Sequence, residues 1–98
     1  LLLKQNNAII RAHKISEGGM TGTVADPKRI FKAALENNAA RIVLCHNHPS
    51  GSLKPSAADI KLTEKLVAAG KQLDLGILDH IIISYKGFYS FADEGIIE

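Results

Sequence analysis

The sequence predicts an α/β fold, a mixed β-sheet flanked by helices, and three observations lead there. Short apolar runs bounded by Gly, Asn or Pro recur along the chain. Two segments between those runs carry helical spacing behind good capping residues. The resulting order is strand, strand, helix, strand, helix, strand, strand, which suits one sheet with helices packed on it. With 98 residues and 46% of them apolar, residues 1–98 are read as a single domain with one hydrophobic core.

Leu1 to Leu3 and Ala8 to Ile15 read as an antiparallel strand pair turning at Gln5-Asn6-Asn7. Gly18 to Thr23 is glycine-rich but lacks a P-loop ending, so it reads as a flexible connection. Asp26 before Pro27 marks a helix start, because the carboxylate caps free amides where proline needs no donor. That helix should end near Asn37-Asn38, with Ile30, Phe31, Ala34 and Leu35 as its buried stripe. Arg41 to Cys45 reads as a buried strand, with Cys45 as core filler. Ser56 opens a second helix, with Ile60, Thr63, Leu66 and Val67 on one face and Gly70 near its end. After a turn at Asp74 to Gly76, His80 to Ser84 and Phe88 to Phe91 form a hairpin about Tyr85-Lys86-Gly87, and Ala92 to Glu98 is a short helical turn or tail.

Composition excludes several partners. The net charge is only +2 and the twelve Lys and Arg residues are dispersed, which argues against a polybasic surface for nucleic acid or anionic membrane. Lys28, Arg29 and Lys32 read as a solvated helix face. Aromatic residues are too few for a stacking platform. A single cysteine forms no internal disulfide, and nothing resembles a signal peptide or membrane span, so the reading is cytoplasmic. The abrupt start on Leu1-Leu2-Leu3 reads as a strand already in progress, and the chain as a fragment lacking upstream residues. Leu1–Leu3 would then be free to pair with another edge strand, with the oligomeric state left open.

The chemistry concentrates in His46-Asn47-His48-Pro49-Ser50-Gly51 and the following Pro55-Ser56-Ala57-Ala58-Asp59. In an extended chain His46 and His48 point to the same side, with Cα atoms about 6.5–7 Å apart. Two imidazoles so placed can converge on one ion, and Asp59 in the first helical turn could swing towards them. Two histidines and a carboxylate would leave a tetrahedral zinc with one open position, the pattern of a catalytic site. The competing reading is local: Ser56-x-x-Asp59 fits a capping box. The two roles are compatible, since the serine can cap while the aspartate binds metal.

The run from His46 to Asp59 resembles the JAMM motif, His-x-His-x10-Asp, of the JAB/MPN+ metalloproteases, with Pro49 and Ser56 in their usual places. The flanks are similar to the RadC branch: His46 to Gly51, Pro55-Ser56-x-x-Asp59, Leu78-Asp79-His80-Ile81-Ile82, and further matches at Gly18, Asp26-Pro27, Ala33-Ala34-Leu35 and Asn38-Ala39-Ala40. The resemblance implies a cytidine-deaminase-like fold, Zn2+ held by His46, His48 and Asp59, and hydrolysis of peptide or isopeptide bonds. It also implies that Ser56 stabilises the oxyanion and that an upstream glutamate is the general acid/base. Zinc would lower the pKa of its water towards about 7 while a carboxylate moves the proton.

Here the sequence departs from the pattern. The family's glutamate would lie before Leu1. Glu17 matches a variable position and Glu36 lies on the first helix, so neither is assigned the role. The expectation is a chain that binds zinc and is inactive by itself. The alternative is a non-catalytic zinc-binding accessory module in DNA repair or replication-fork maintenance, with DNA contacted through regions outside this chain.

His80 is read as a structural histidine bonded by Asp79, and His13 as a surface residue. The tripeptide His46-Asn47-His48 is not the dispersed motif of HNH nucleases. A nucleoside deaminase would need a His-x-Glu and a Pro-Cys-x-x-Cys that this chain lacks. The substrate, a peptide or protein, is not named by any residue.

Overall fold

The computed structural model describes residues 1–13, 26–48 and 50–97. The expected connection at Gly18 to Thr23, the end of the second strand at Lys14 and Ile15, and Glu17 lie outside the described residues. Five strands and two helices follow the expected order: β1 (Leu2–Leu3), β2 (Ile9–Arg11), α1 (Pro27–Glu36), β3 (Arg41–Asn47), α2 (Ala57–Gln72), β4 (Gly76–Ser84) and β5 (Gly87–Ser90). They form one mixed sheet ordered β2-β1-β3-β4-β5, in which β3 and β4 run parallel and the other neighbours antiparallel.

The helix starts are chemical. The Asp26 carboxylate accepts from the amide of Lys28 at 2.9 Å, with Pro27 in the first turn. Asn37 closes α1, and Asn38 takes φ +52 beyond it. Ile30, Phe31, Ala33 and Ala34 form the buried stripe. Leu35, expected in that stripe, is 55% exposed. At 100° per residue it lies about 120° from the centre of the arc between Ile30 and Ala34, outside the edges that Phe31 and Ala33 mark about 80° to either side. Lys28, Arg29 and Lys32 are exposed, as a solvated face requires.

The core joins Leu2, Ile42, Ile77 and Ile82 of the sheet to α1, to Leu66 of α2, and to Phe91 and Ile97 after the hairpin. Each such side chain, fully buried, contributes roughly 1.5–3 kcal/mol. Three expectations change. β1 is not an edge: it lies between β2 and β3, and Leu2 and Leu3 are both 4% exposed. Cys45 is exposed, because strand alternation gives Ile42, Leu44 and His46 one face and Cys45 the other. β4 begins at Gly76 rather than at His80, so that His80 sits within the strand.

Two sets of contacts fix the chain around β4. Gly70 lets the chain fold back at the end of α2: the Leu75 amide donates to its carbonyl at 2.8 Å, and a Cβ there would lie 2.2 Å from the Leu75 carbonyl oxygen. Asp79 ties β4 to the turn after β5, accepting from the amides of His80 and Ala92 and from the Ser90 hydroxyl. The C-terminal end of β3 and the N-terminus of α2 meet beside β4, at the end of a parallel pair where α/β sheets place their ligands.

Candidate metal centre

His46 lies in β3 and His48 just beyond it, where the His48 amide donates to the Ile83 carbonyl at 3.0 Å. Alternation sends both imidazoles to the α2 side, and Asp59 comes to meet them from the third position of that helix. The Nε2 atoms of His46 and His48 are 2.9 Å apart. Asp59 Oδ1 is 3.3 Å from His46 Nε2, and Oδ2 is 3.2 Å from His48 Nε2. Among the described residues these three form a grouping able to hold a metal ion.

The capping box is present as well. The Asp59 amide donates to Ser56 Oγ at 3.0 Å, and the Ser56 amide donates to Asp59 Oδ2 at 2.8 Å. The box therefore does not compete with the cluster: it aims the carboxylate at the histidines while the helix N-terminus favours its charge. Burial works to raise the Asp59 pKa, but hydrogen bonds from Ser56 and the two nearby histidines outweigh it, so the carboxyl stays below its ordinary range. Burial lowers the pKa of His46, helped by His48 and opposed by Asp59.

His48 is turned by its other nitrogen. Nδ1 faces the Ser52 carbonyl at 3.0 Å, and a carbonyl only accepts, so Nδ1–H donates and the Nε2 lone pair faces the cluster. Gly51 makes this loop possible with φ +85, and its amide donates to the His48 carbonyl at 3.0 Å.

His80 is not part of the ligand grouping, as expected, but its ring does not bond Asp79. Asp79 takes the His80 backbone amide instead. The ring is 2% exposed, stacked on Phe91 at 4.4 Å, and wedged between His46 Nδ1 at 2.8 Å and Thr63 Oγ1 at 2.6 Å. Burial first, and His46 second, push its pKa down to about 4. His13 is exposed, and Glu36 sits near Lys32 on α1, ahead of the start of β3. Ser56 is exposed beside the Asp59 carboxylate.

Residues 1–96 match the family model of the RadC-like JAB domain. The chain belongs to the RadC-like JAB family. Its relatives include a UPF0758 protein of Flavobacterium johnsoniae, 50% identical over 98% of this chain and 42% of the relative. A UPF0758 protein of Methanosarcina mazei is 42% identical over 100% of this chain and 43% of its own, and one of Symbiobacterium thermophilum is 36% identical over 99% and 42%. The chain thus spans about two fifths of the length of the curated relatives it matches. The mixed sheet with two helices is consistent with a JAB domain, and so is a His46-His48-Asp59 metal site. The sequence reading missed Thr63 and the ring contacts of His80. The signal available was the placement of Thr63 one helical turn after Asp59, on the same face.

Proposed function

We propose that this JAB domain is the zinc-holding core of a metallopeptidase-type hydrolase that cleaves peptide or isopeptide bonds. One observation carries the reading: the Nε2 atoms of His46 and His48 stand 2.9 Å apart, and the Asp59 carboxylate lies 3.3 Å from the first through Oδ1 and 3.2 Å from the second through Oδ2. Tetrahedral bonds of about 2.0–2.1 Å place ligand atoms about 3.3–3.4 Å apart, so a small outward shift, with one carboxylate oxygen serving as ligand, would fit the cluster to one zinc with a fourth position left open. Nitrogen and carboxylate donors in this number suit zinc, and the metal would supply Lewis-acid activation of water and of the scissile carbonyl.

The chain's own groups have separable tasks in this scheme. Asp59 contributes charge, held in place by the two Ser56 contacts. The Ser56 hydroxyl accepts from the Asp59 amide and keeps its proton to donate to a developing oxyanion. Among the described residues no glutamate joins the cluster. The general acid/base is therefore assigned to none of the described residues.

Elemental analysis after gentle purification tests the reading, with Asp59→Asn and His48→Ala alongside. About one zinc per chain, lost in both variants, is the expected result. A parent chain that holds no metal, or an Asp59→Asn variant that retains it fully, overturns the assignment. Given zinc, peptidase assays on one of the longer UPF0758 relatives follow; no cleavage there, with tight salt-sensitive DNA binding, would favour an accessory module of DNA repair instead.

A further inference from the structure

We propose that Thr63 and His80 are positioning residues that lock His46 in the one tautomer able to bind a metal. It rests on the metal-centre reading. Thr63 Oγ1 lies 2.8 Å from the backbone carbonyl of Asp59 and 2.6 Å from His80 Nδ1. A carbonyl oxygen can only accept, so the single hydroxyl proton goes to Asp59 and Oγ1 must accept from His80 Nδ1–H. A neutral His80 then carries its lone pair on Nε2. That lone pair faces His46 Nδ1 at 2.8 Å, so His46 donates from Nδ1 and is left with a bare Nε2. The bare atom is the one that stands 2.9 Å from His48 Nε2 and 3.3 Å from Asp59 Oδ1.

The opposite polarity puts a proton where a metal must go. If Thr63 donated to His80, then His80 would donate to His46, and His46 Nε2 would carry a hydrogen. The relay closes on itself: Asp59 offers its carboxylate to the site and its main-chain carbonyl to Thr63. Its middle member has little freedom, being 2% exposed and stacked on Phe91 with ring planes 11° apart. Partners of this kind behind a ligating histidine fix the ring and raise its basicity.

The test is nitrogen-detected tautomer mapping of the 15N-labelled chain at neutral pH by long-range imidazole correlation, with chelator and then with zinc. The expected pattern is Nδ1–H with bare Nε2 at His80, and Nδ1–H at His46. Thr63→Val, which removes the acceptor, should mix the His80 tautomers and weaken zinc binding by about tenfold to a hundredfold. Thr63→Ser should restore both. An Nε2–H tautomer at His80 in the parent chain overturns the relay, as does a folded Thr63→Val that keeps the parent tautomers and zinc affinity. If Thr63→Val does not fold, the parent spectrum and Thr63→Ser decide. Zinc uptake is scored separately: a parent chain that takes none overturns the metal-centre reading, whereas a wrong tautomer in a chain that binds zinc overturns only the relay.

Discussion

His46 Nδ1 and His80 Nε2 lie 2.8 Å apart on one face of the sheet, joining a partly exposed ring of the candidate metal centre to a buried one. The strand register makes this contact, since Leu44 pairs with His80 and His46 with Ile82, leaving the two histidines as diagonal neighbours. A proton added to His80 would have to be buried and face His46, which is why its pKa falls to about 4 from 6.5.

That depression makes the metal-free protein acid-sensitive. Because the folded pKa lies below the unfolded one, the unfolded chain binds more protons between them, and stability falls as pH drops from 6.5 towards about 4. The loss through this window should be on the order of 3 kcal/mol. Asp59 has the same sign but acts lower, its contribution being present above its ordinary 3.8 and lost as pH falls through its depressed value. Urea unfolding in chelator, at several pH values, should show the upper slope in the parent and a weaker one in His80→Gln, with the lowered pKa of His46 supplying what remains. An equal slope in both would remove His80 as the cause.

Ser56 and Asp59 separate capping from metal binding. Ser56→Ala should cost about 1 kcal/mol of stability through the lost cap, while zinc stoichiometry holds because the Ser56 backbone amide still donates to Asp59. Asp59→Asn should keep much of the cap and lose zinc, since an amide oxygen is a poor substitute for the charge. Parallel denaturation and metal analysis check the pair. Loss of zinc from Ser56→Ala, with the helix intact, would mean that the hydroxyl orients the carboxylate more than the amide does.

The loop behind His48 depends on Gly51. A Cβ there would lie 2.5 Å from Tyr85 Cε1, at a φ of +85 that L side chains disfavour. Gly51→Ala should cost about 1–2 kcal/mol through backbone strain alone. It should also weaken zinc binding by shifting the Ser52 carbonyl away from His48. Adding Tyr85→Ala should relieve the collision but not the strain, a partial rescue measurable in both unfolding and zinc titration.

Cys45 offers a check on the sheet's exposed face. Being exposed, it should react with a thiol reagent in the folded chain without denaturant. Cys45→Ser should change stability by no more than about 0.5 kcal/mol. Slow labelling that speeds up only on unfolding would contradict the observed strand facing.

Local rules were enough for much of this protein. The caps at Asp26 and Ser56, the turn at Asn7, the element order and the shared facing of His46 and His48 all follow from interactions within a few residues, so they are written in short stretches of sequence. The metal-site motif was legible for the same reason, being confined to 46–59. Tertiary structure decided what depends on distant partners. Whether Cys45 and Leu35 are covered depends on which face meets the core, and β1 becomes interior through its pairing with β3. The role of His80 emerges only when parallel pairing of β3 and β4 brings it beside His46, and packing of α2 supplies Thr63. No periodicity encodes a contact between rings 34 positions apart, because that contact is set by strand register and helix docking rather than by the neighbours of either histidine.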